Sequence, residues 1–233
     1  MSMTDSREVV PGRYSVTEIL KPLRQMYLSR RVENYIDPEK QIFLINGTAI
    51  HGVLEEGARK IKDKESHRVE EGFSVEIIPG FTLSGRPDYY DVKMKTLWDF
   101  KNSKAYTVKK IKRAAGERVA WHSEDYFAQL NIYRTFAYPD AEKLKLYFFV
   151  QGWTRRDELK PIEQIGVPLA QNETVKLWVR DRAKKILDIE SGKLPLPKCA
   201  TADLWIRQDG TPVRCDEYCP ALSICDQRKE MKK

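Results

Sequence analysis

With 233 residues, 41% hydrophobic and 32% charged, the chain is long enough to bury the core of one domain, and no apolar run reaches the length a bilayer requires. Its first residues, Met-Ser-Met-Thr-Asp-Ser-Arg-Glu, lack the apolar segment of a secretory signal, so a cytoplasmic location without membrane contact is expected. A formal net charge of +7 favours polyanionic partners, because basic side chains displace the counterions condensed on phosphates.

From Tyr14 onward, Ser15 or Thr17 can cap a helix whose apolar residues Ile19, Leu20, Leu23, Tyr27 and Leu28 follow helical spacing, with Pro22 bending it or dividing it in two. Arg24, Arg30 and Arg31 form a basic cluster suited to a phosphate backbone or to a solvated face. Asn46-Gly47 reads as a turn. After it, Thr48 caps a second helix running to about Lys62, with Ile50, Val53, Leu54 and Ile61 as its buried stripe and His51 beside them. Val69 to Ile78 reads as a strand, Pro79-Gly80 as a turn, Phe81 to Ser84 as the next strand and Thr96 to Lys101 as the third. Three antiparallel strands in a row, with helices on either side, predict an α/β fold around a central mixed sheet.

Asn102 to Val119, rich in Lys and Arg, reads as a mobile basic loop. Ser123 to Tyr138 is a helix that sets Gln129 and Tyr133 one above the other on a single face. Strands at Leu144 to Trp153 and Gln164 to Leu169 follow. Asn172 then caps a helix through Ile189 that Gly192 ends, with Leu177, Val179, Ala183, Ile186 and Leu187 as its contacts.

The chemistry concentrates between Gly85 and Lys101. Alternation along a strand puts Asp99 and Lys101 on one side and Phe100 on the other, and Asp88 lies across a turn from them. Two carboxylates on neighbouring strands suit a hard divalent ion such as Mg²⁺, which takes oxygen ligands and keeps part of its water. A solvated surface hairpin would carry the same residues. All four cysteines, Cys199, Cys215, Cys219 and Cys225, lie in the C-terminal segment. For a chain expected in a reducing compartment that crowding points to a metal before a disulfide.

Taken in order, His51 in Gly-Thr-Ala-Ile-His, Asp88 in Gly-Arg-Pro-Asp, Asp99-Phe100-Lys101 and Gln129-Leu-Asn-Ile-Tyr133 resemble the motifs of the PD-(D/E)XK nuclease superfamily. The likeness is to its RecB-like exonuclease branch, with the AddB-type subunits and CRISPR-associated exonucleases, and runs from about Tyr14 to Cys225. It implies a restriction-endonuclease-like core in which His51, Asp88, Asp99 and the Phe100 carbonyl hold Mg²⁺ or Mn²⁺. Lys101 would then position or activate water and steady charge on the phosphate, while Gln129 and Tyr133 brace the site. Glu55 and Glu76 stand as accessory acids or as surface residues.

The ending Cys215-Asp-Glu-Tyr-Cys219-Pro-Ala-Leu-Ser-Ile-Cys225 is similar to the C-terminal trio of the iron–sulfur members. Those take a first cysteine from the N-terminal helix, where this chain has Lys21-Pro22, so Cys199 has to replace it. A 4Fe-4S cluster is favoured, with a four-cysteine zinc site as the rival; either would be structural, with Trp205 and Tyr218 packed beside it. The expected organisation is an N-terminal tail (1–13), a nuclease core (14–192) and a C-terminal four-cysteine segment (193–233). The expected activity is a metal-dependent deoxyribonuclease, working from single strands or duplex ends with a helicase, recombination or CRISPR-type partner. The alternatives are a non-catalytic nucleic-acid-binding or assembly protein, and a nuclease directed at RNA.

Overall fold

The computed structural model describes residues 9–32, 38–60 and 64–231. Strand β1 (Arg13–Ser15) leads directly into helix α1 (Val16–Ile19), because Ser15 closes a capping box: it accepts from the Glu18 N–H at 3.2 Å, while its own N–H donates to Glu18 Oε2 at 2.7 Å. Pro22 separates α1 from α2 (Leu23–Ser29). The three arginines are spent on the protein itself. Arg24 donates to the Leu196 and Pro197 carbonyls and pairs with Asp226, Arg30 pairs with Glu18 beneath the Tyr14 ring, and Arg31 pairs with Glu190.

Helix α3 (Pro38–Arg59) runs straight through Asn46-Gly47, so the expected turn and the Thr48 cap are absent. One glycine costs a helix interior only about 1 kcal/mol, and the many turns on either side absorb it. Val53 is 73% exposed, which narrows the expected buried stripe; Ile61 and Lys62 lie outside the described residues.

The first long strand of the sequence reading is two. β2 (His67–Val69) and β3 (Phe73–Ile78) are separated by Glu70, whose φ of +54° breaks the extended run. β3 turns at Pro79-Gly80 into β4 (Phe81–Gly85), and β1 adds alongside β4 in parallel. The chain then changes sheets. β5 (Tyr89–Asp91) and β6 (Thr96–Lys104) belong to a second sheet ordered β2-β5-β6, which two later strands extend, so the expected three-strand meander does not form. Pro87 sits at the switch, where it offers no N–H to a ladder and holds Arg86 away from the helical region. Gly85 closes β4, and only a glycine fits there, since a Cβ would lie 2.7 Å from ring carbons of both Phe73 and Tyr133.

The basic stretch after β6 is a helix, not a loop: in α4 (Ala105–Gly116), Val108, Ile111 and Ala114 are buried and the lysines face outward. Their three-residue spacing is helical, and the surrounding charge obscured it. α5 (Asp125–Phe136) completes the crossover to β7 (Lys143–Gln151), which runs parallel to β6, and β8 (Ile162–Val167) closes the sheet edge antiparallel to β7. Leu97, Leu144, Leu146 and Phe148 of this sheet are buried in one core with Phe127 and Leu130 of α5 and with Val175, Val179 and Ala183 of α6 (Asn172–Glu190). Asn172 does not cap α6; its Oδ1 accepts from Arg134 and Thr135, and Leu177 is exposed.

The result is the expected mixed α/β fold, with a mixed sheet flanked by helices. Beyond it, α7 (Thr201–Leu204), a wide helical turn at Arg214–Tyr218 and α8 (Asp226–Glu230) carry the cysteines back to α2. No helix among the described residues is long and apolar enough to cross a membrane.

Candidate active site

The β5–β6 pairing sets the site. Tyr89 opposes Trp98, so one further step of the antiparallel register brings Asp88 opposite Asp99. Asp88 Oδ2 accepts the Phe100 N–H at 2.6 Å, which fixes the carboxylate against the strand. Asp99 is fully buried and neither of its carboxylate oxygens accepts a well-directed hydrogen bond; its partner is an ion pair, Lys101 Nζ at 2.5 Å from Oδ2. Burial pulls the Lys101 ammonium down, but the Asp99 and Asp88 carboxylates outweigh it and its pKa is raised, so it stays charged. Asp88 is pushed up to about 8, first by burial and then by the Asp99 charge. Two carboxylates this close are poorly compensated by one lysine, and a proton or a cation has to make up the difference.

His51, half-buried on α3, reaches the same point: its Nδ1 lies 3.7 Å from Asp88 Oδ2. Burial and then the Lys101 charge lower its pKa, so the imidazole is neutral and able to ligate. A hydrogen bond with the Phe100 backbone pulls the other way, which it can do only from the carbonyl side.

The residue that sequence reasoning missed is Glu70. Ligand atoms of His51, Glu70 and Asp88 all lie within 4.8 Å of one another, and Asp99 stands outside that triplet. Glu70 continues the β2–β5 register, its N–H donating to the Asp88 carbonyl at 3.1 Å, before its left-handed backbone ends the ladder, and its carboxylate pairs with Arg86 at 2.5 Å. Only the run Val-Glu-Glu-Gly could have signalled a break in that strand. Glu76 has no part in the site, since it is exposed and accepts from Gly80 N–H in the hairpin turn; the Glu55 side chain lies outside the described residues.

The triplet opens onto a cleft of about 830 Å³ that Arg13, Arg86 and Tyr133 also line. Buried Gln129 donates to Tyr133 Oη at 3.2 Å, and the Tyr133 ring meets Phe73 edge-on. Burial and the nearby Asp99 charge push the Tyr133 hydroxyl up to about 12, against the pull of the Gln129 hydrogen bond, so it remains a donor. Tyr126, two turns before Tyr133 on α5, lies with its ring 5.5 Å from Lys101 Nζ.

The four cysteines carry free thiols and are partly or wholly buried. Burial and then Cys215 and Cys225 push the Cys199 thiol up to about 11, and Cys219 adds to the shift, so all four share one neighbourhood. Gln227 clamps the Cys199 backbone on both sides, accepting its N–H at 2.8 Å and donating to its carbonyl at 3.0 Å. The Lys21 charge reaches Cys219, which places this neighbourhood beside the turn between α1 and α2. Among the described residues no three of the four sulfurs come within 4.8 Å of one another. Trp205 and Tyr218 pack on each other edge-to-face and are largely exposed.

No curated protein sequence matches the chain. A solved structure titled "Crystal structure of SSO0001" superposes with a TM-score of 0.52 over 96% of this chain and 90% of that one, at 18% identity, a likeness of fold. A family model described as the PD-(D/E)XK nuclease superfamily matches residues 17–226, from α1 through the acid-bearing strands to the last cysteine. With that span matched, the chain belongs to the PD-(D/E)XK nuclease superfamily.

Proposed function

We propose that the chain is a divalent-metal-dependent deoxyribonuclease of the RecB-like branch, an exonuclease that works on single strands or duplex ends. The observation that carries this is the juxtaposition of the His51–Glu70–Asp88 triplet with the buried Asp99–Lys101 pair. His51, Asp88, Asp99, the Phe100 carbonyl and Glu70 would hold Mg²⁺ or Mn²⁺. That ion, when bound, supplies Lewis-acid polarisation of a phosphoryl oxygen and a more acidic water. A histidine in the set accommodates Mn²⁺ better than oxygen ligands alone would.

The chain's own residues do the rest. Lys101, held charged by the carboxylates, faces the reacting centre as a fixed cation that orients water and balances charge gathering on the phosphate. Gln129 and Tyr133 set the wall of the cleft, with the Tyr133 hydroxyl as a neutral donor. Arg13 and Arg86 at the cleft offer guanidinium donors to a phosphate backbone beside the acidic ligands. Strand separation would fall to a helicase, recombination or CRISPR-type partner.

For the cysteines we favour a structural 4Fe-4S cluster, Cys199 completing the set. A zinc ion with Zn–S bonds of about 2.3 Å draws its four sulfurs to within about 3.8 Å of one another, whereas an iron–sulfur cube holds its thiolates further apart. The likeness of the Cys215–Cys219–Cys225 trio to the ending of the iron–sulfur members supports the cube. Residues 193–233 then act as a metal-stapled segment on a core formed by 14–192.

The test is release of nucleotides from end-labelled DNA and RNA with Mg²⁺ or Mn²⁺. Parent protein should degrade DNA from its ends, and Asp99→Ala and Lys101→Ala should not. Binding without cleavage by the parent would favour a non-catalytic binding protein instead.

A further inference from the structure

A second, smaller cleft approaches the Lys101 side of the site through Tyr126. This cleft of about 280 Å³ forms where the cysteine segment meets α1, α2 and α5, and its lining includes Tyr126 and Gln129 below and Trp205, Arg214 and Tyr218 above. Tyr126 is the side chain whose ring lies beside Lys101, so the cleft ends one side chain away from the reacting centre.

Its rim is unusual. Trp205 adopts a left-handed backbone, φ +53°, a conformation that strains a bulky residue and persists where the surrounding fold enforces it. The strain is not repaid by burying the indole, since Trp205 is 47% exposed and its neighbour Tyr218 is 61% exposed. The two rings meet edge-to-face with centroids 5.6 Å apart, and the Arg214 guanidinium lies 4.1 Å over the Trp205 ring, steered there by Asp125. Exposed aromatics braced by an arginine, with Lys21 also lining the cleft, are what a stacked, unpaired base requires.

We propose that Trp205 and Tyr218 form a stacking platform for an unpaired base of the substrate strand, holding it over the small cleft so that its phosphate is delivered toward Lys101. This rests on the nuclease reading and narrows it to substrates with a single-stranded segment. A duplex cannot present a base to the platform without opening, so the device discriminates by strandedness and not by sequence.

Affinity of a fluorescein-labelled oligo(dT) and of a blunt duplex, measured by anisotropy with Ca²⁺ in an Asp99→Asn background, tests it. Trp205→Leu should weaken oligo(dT) binding by about 5- to 100-fold with little change for the duplex, and Trp205→Phe should restore it. Iron or zinc per chain is measured alongside. If Trp205→Leu loses the cysteine-bound metal, Tyr218→Leu gives the deciding reading. Parental oligo(dT) affinity in the metal-retaining leucine variants, or an equal loss for both ligands, overturns the platform. Failure of the nuclease reading shows separately, as an absence of cleavage by the parent with Mg²⁺ or Mn²⁺.

Discussion

Lys101 Nζ lies 2.5 Å from Asp99 Oδ2, and the Asp99 side chain is 1% exposed. Such a pair contributes little net stability against apolar replacements, yet breaking it leaves a buried charge with no partner. Lys101→Met should therefore cost about 3 kcal/mol or more. Asp99→Asn added to it should return at least half of that loss, while both variants remain inactive. Urea unfolding of the parent, the two single variants and the double variant checks this. A double variant no more stable than Lys101→Met would mean that Asp99 is not the residue left stranded.

Asp88 predicts how pH and metal interact. Its pKa is raised from 3.8 to about 8 by burial and the Asp99 charge, so between those values the folded metal-free protein holds a proton that the unfolded chain has released. Stability then falls as pH rises through that window. Mn²⁺ competes with the same proton, so its affinity should increase toward pH 8 and binding should release a proton. Calorimetry in buffers of different ionisation enthalpy measures that release, and Asp88→Asn should flatten both dependences.

Glu70 belongs to the triplet but not to the motifs, and its carboxylate is held by Arg86 at 2.5 Å. If it ligates or braces the ion, Glu70→Gln should weaken Mn²⁺ binding at least about tenfold, the range found for groups that support a metal site. Glu76→Gln, on the exposed hairpin, should change nothing. Equal affinities for the two variants, read by titration of bound Mn²⁺, would remove Glu70 from the site.

The contrast between these two glutamates shows what the sequence could convey. Asp88, Asp99 and Lys101 are legible because strand alternation and a turn are local, and α5 aligns Gln129 with Tyr133 by the same local rule. Glu70 is set by a left-handed backbone and by a change of sheet at Arg86-Pro87-Asp88, which depends on Gly85 fitting between the Phe73 and Tyr133 rings. No window of sequence contains that contact. In α4 the helical spacing of Val108, Ile111 and Ala114 was present, but the basic residues around them lowered the apolar signal. Arg24, Arg30 and Arg31 looked like a free basic face because their partners, from Val10 to Asp226, are distant in the chain.

Cys199 provides the last prediction. It stands apart in sequence from the Cys215–Cys225 trio and is delivered by Gln227, which grips its backbone N–H and carbonyl at 2.8 and 3.0 Å. In Cys199→Ser three thiolates remain, so a 4Fe-4S cluster should lose most of its visible absorbance, and the C-terminal segment should become sensitive to protease. Gln227→Leu leaves all four thiols in place but releases the Cys199 backbone, and should lower metal occupancy without abolishing it. Iron, zinc and sulfide analysis of anaerobically purified parent and variants distinguishes the centres. About four irons per chain with matching sulfide fits the cluster, while one zinc and no colour replaces it with a closed tetrahedral site on the same four thiolates.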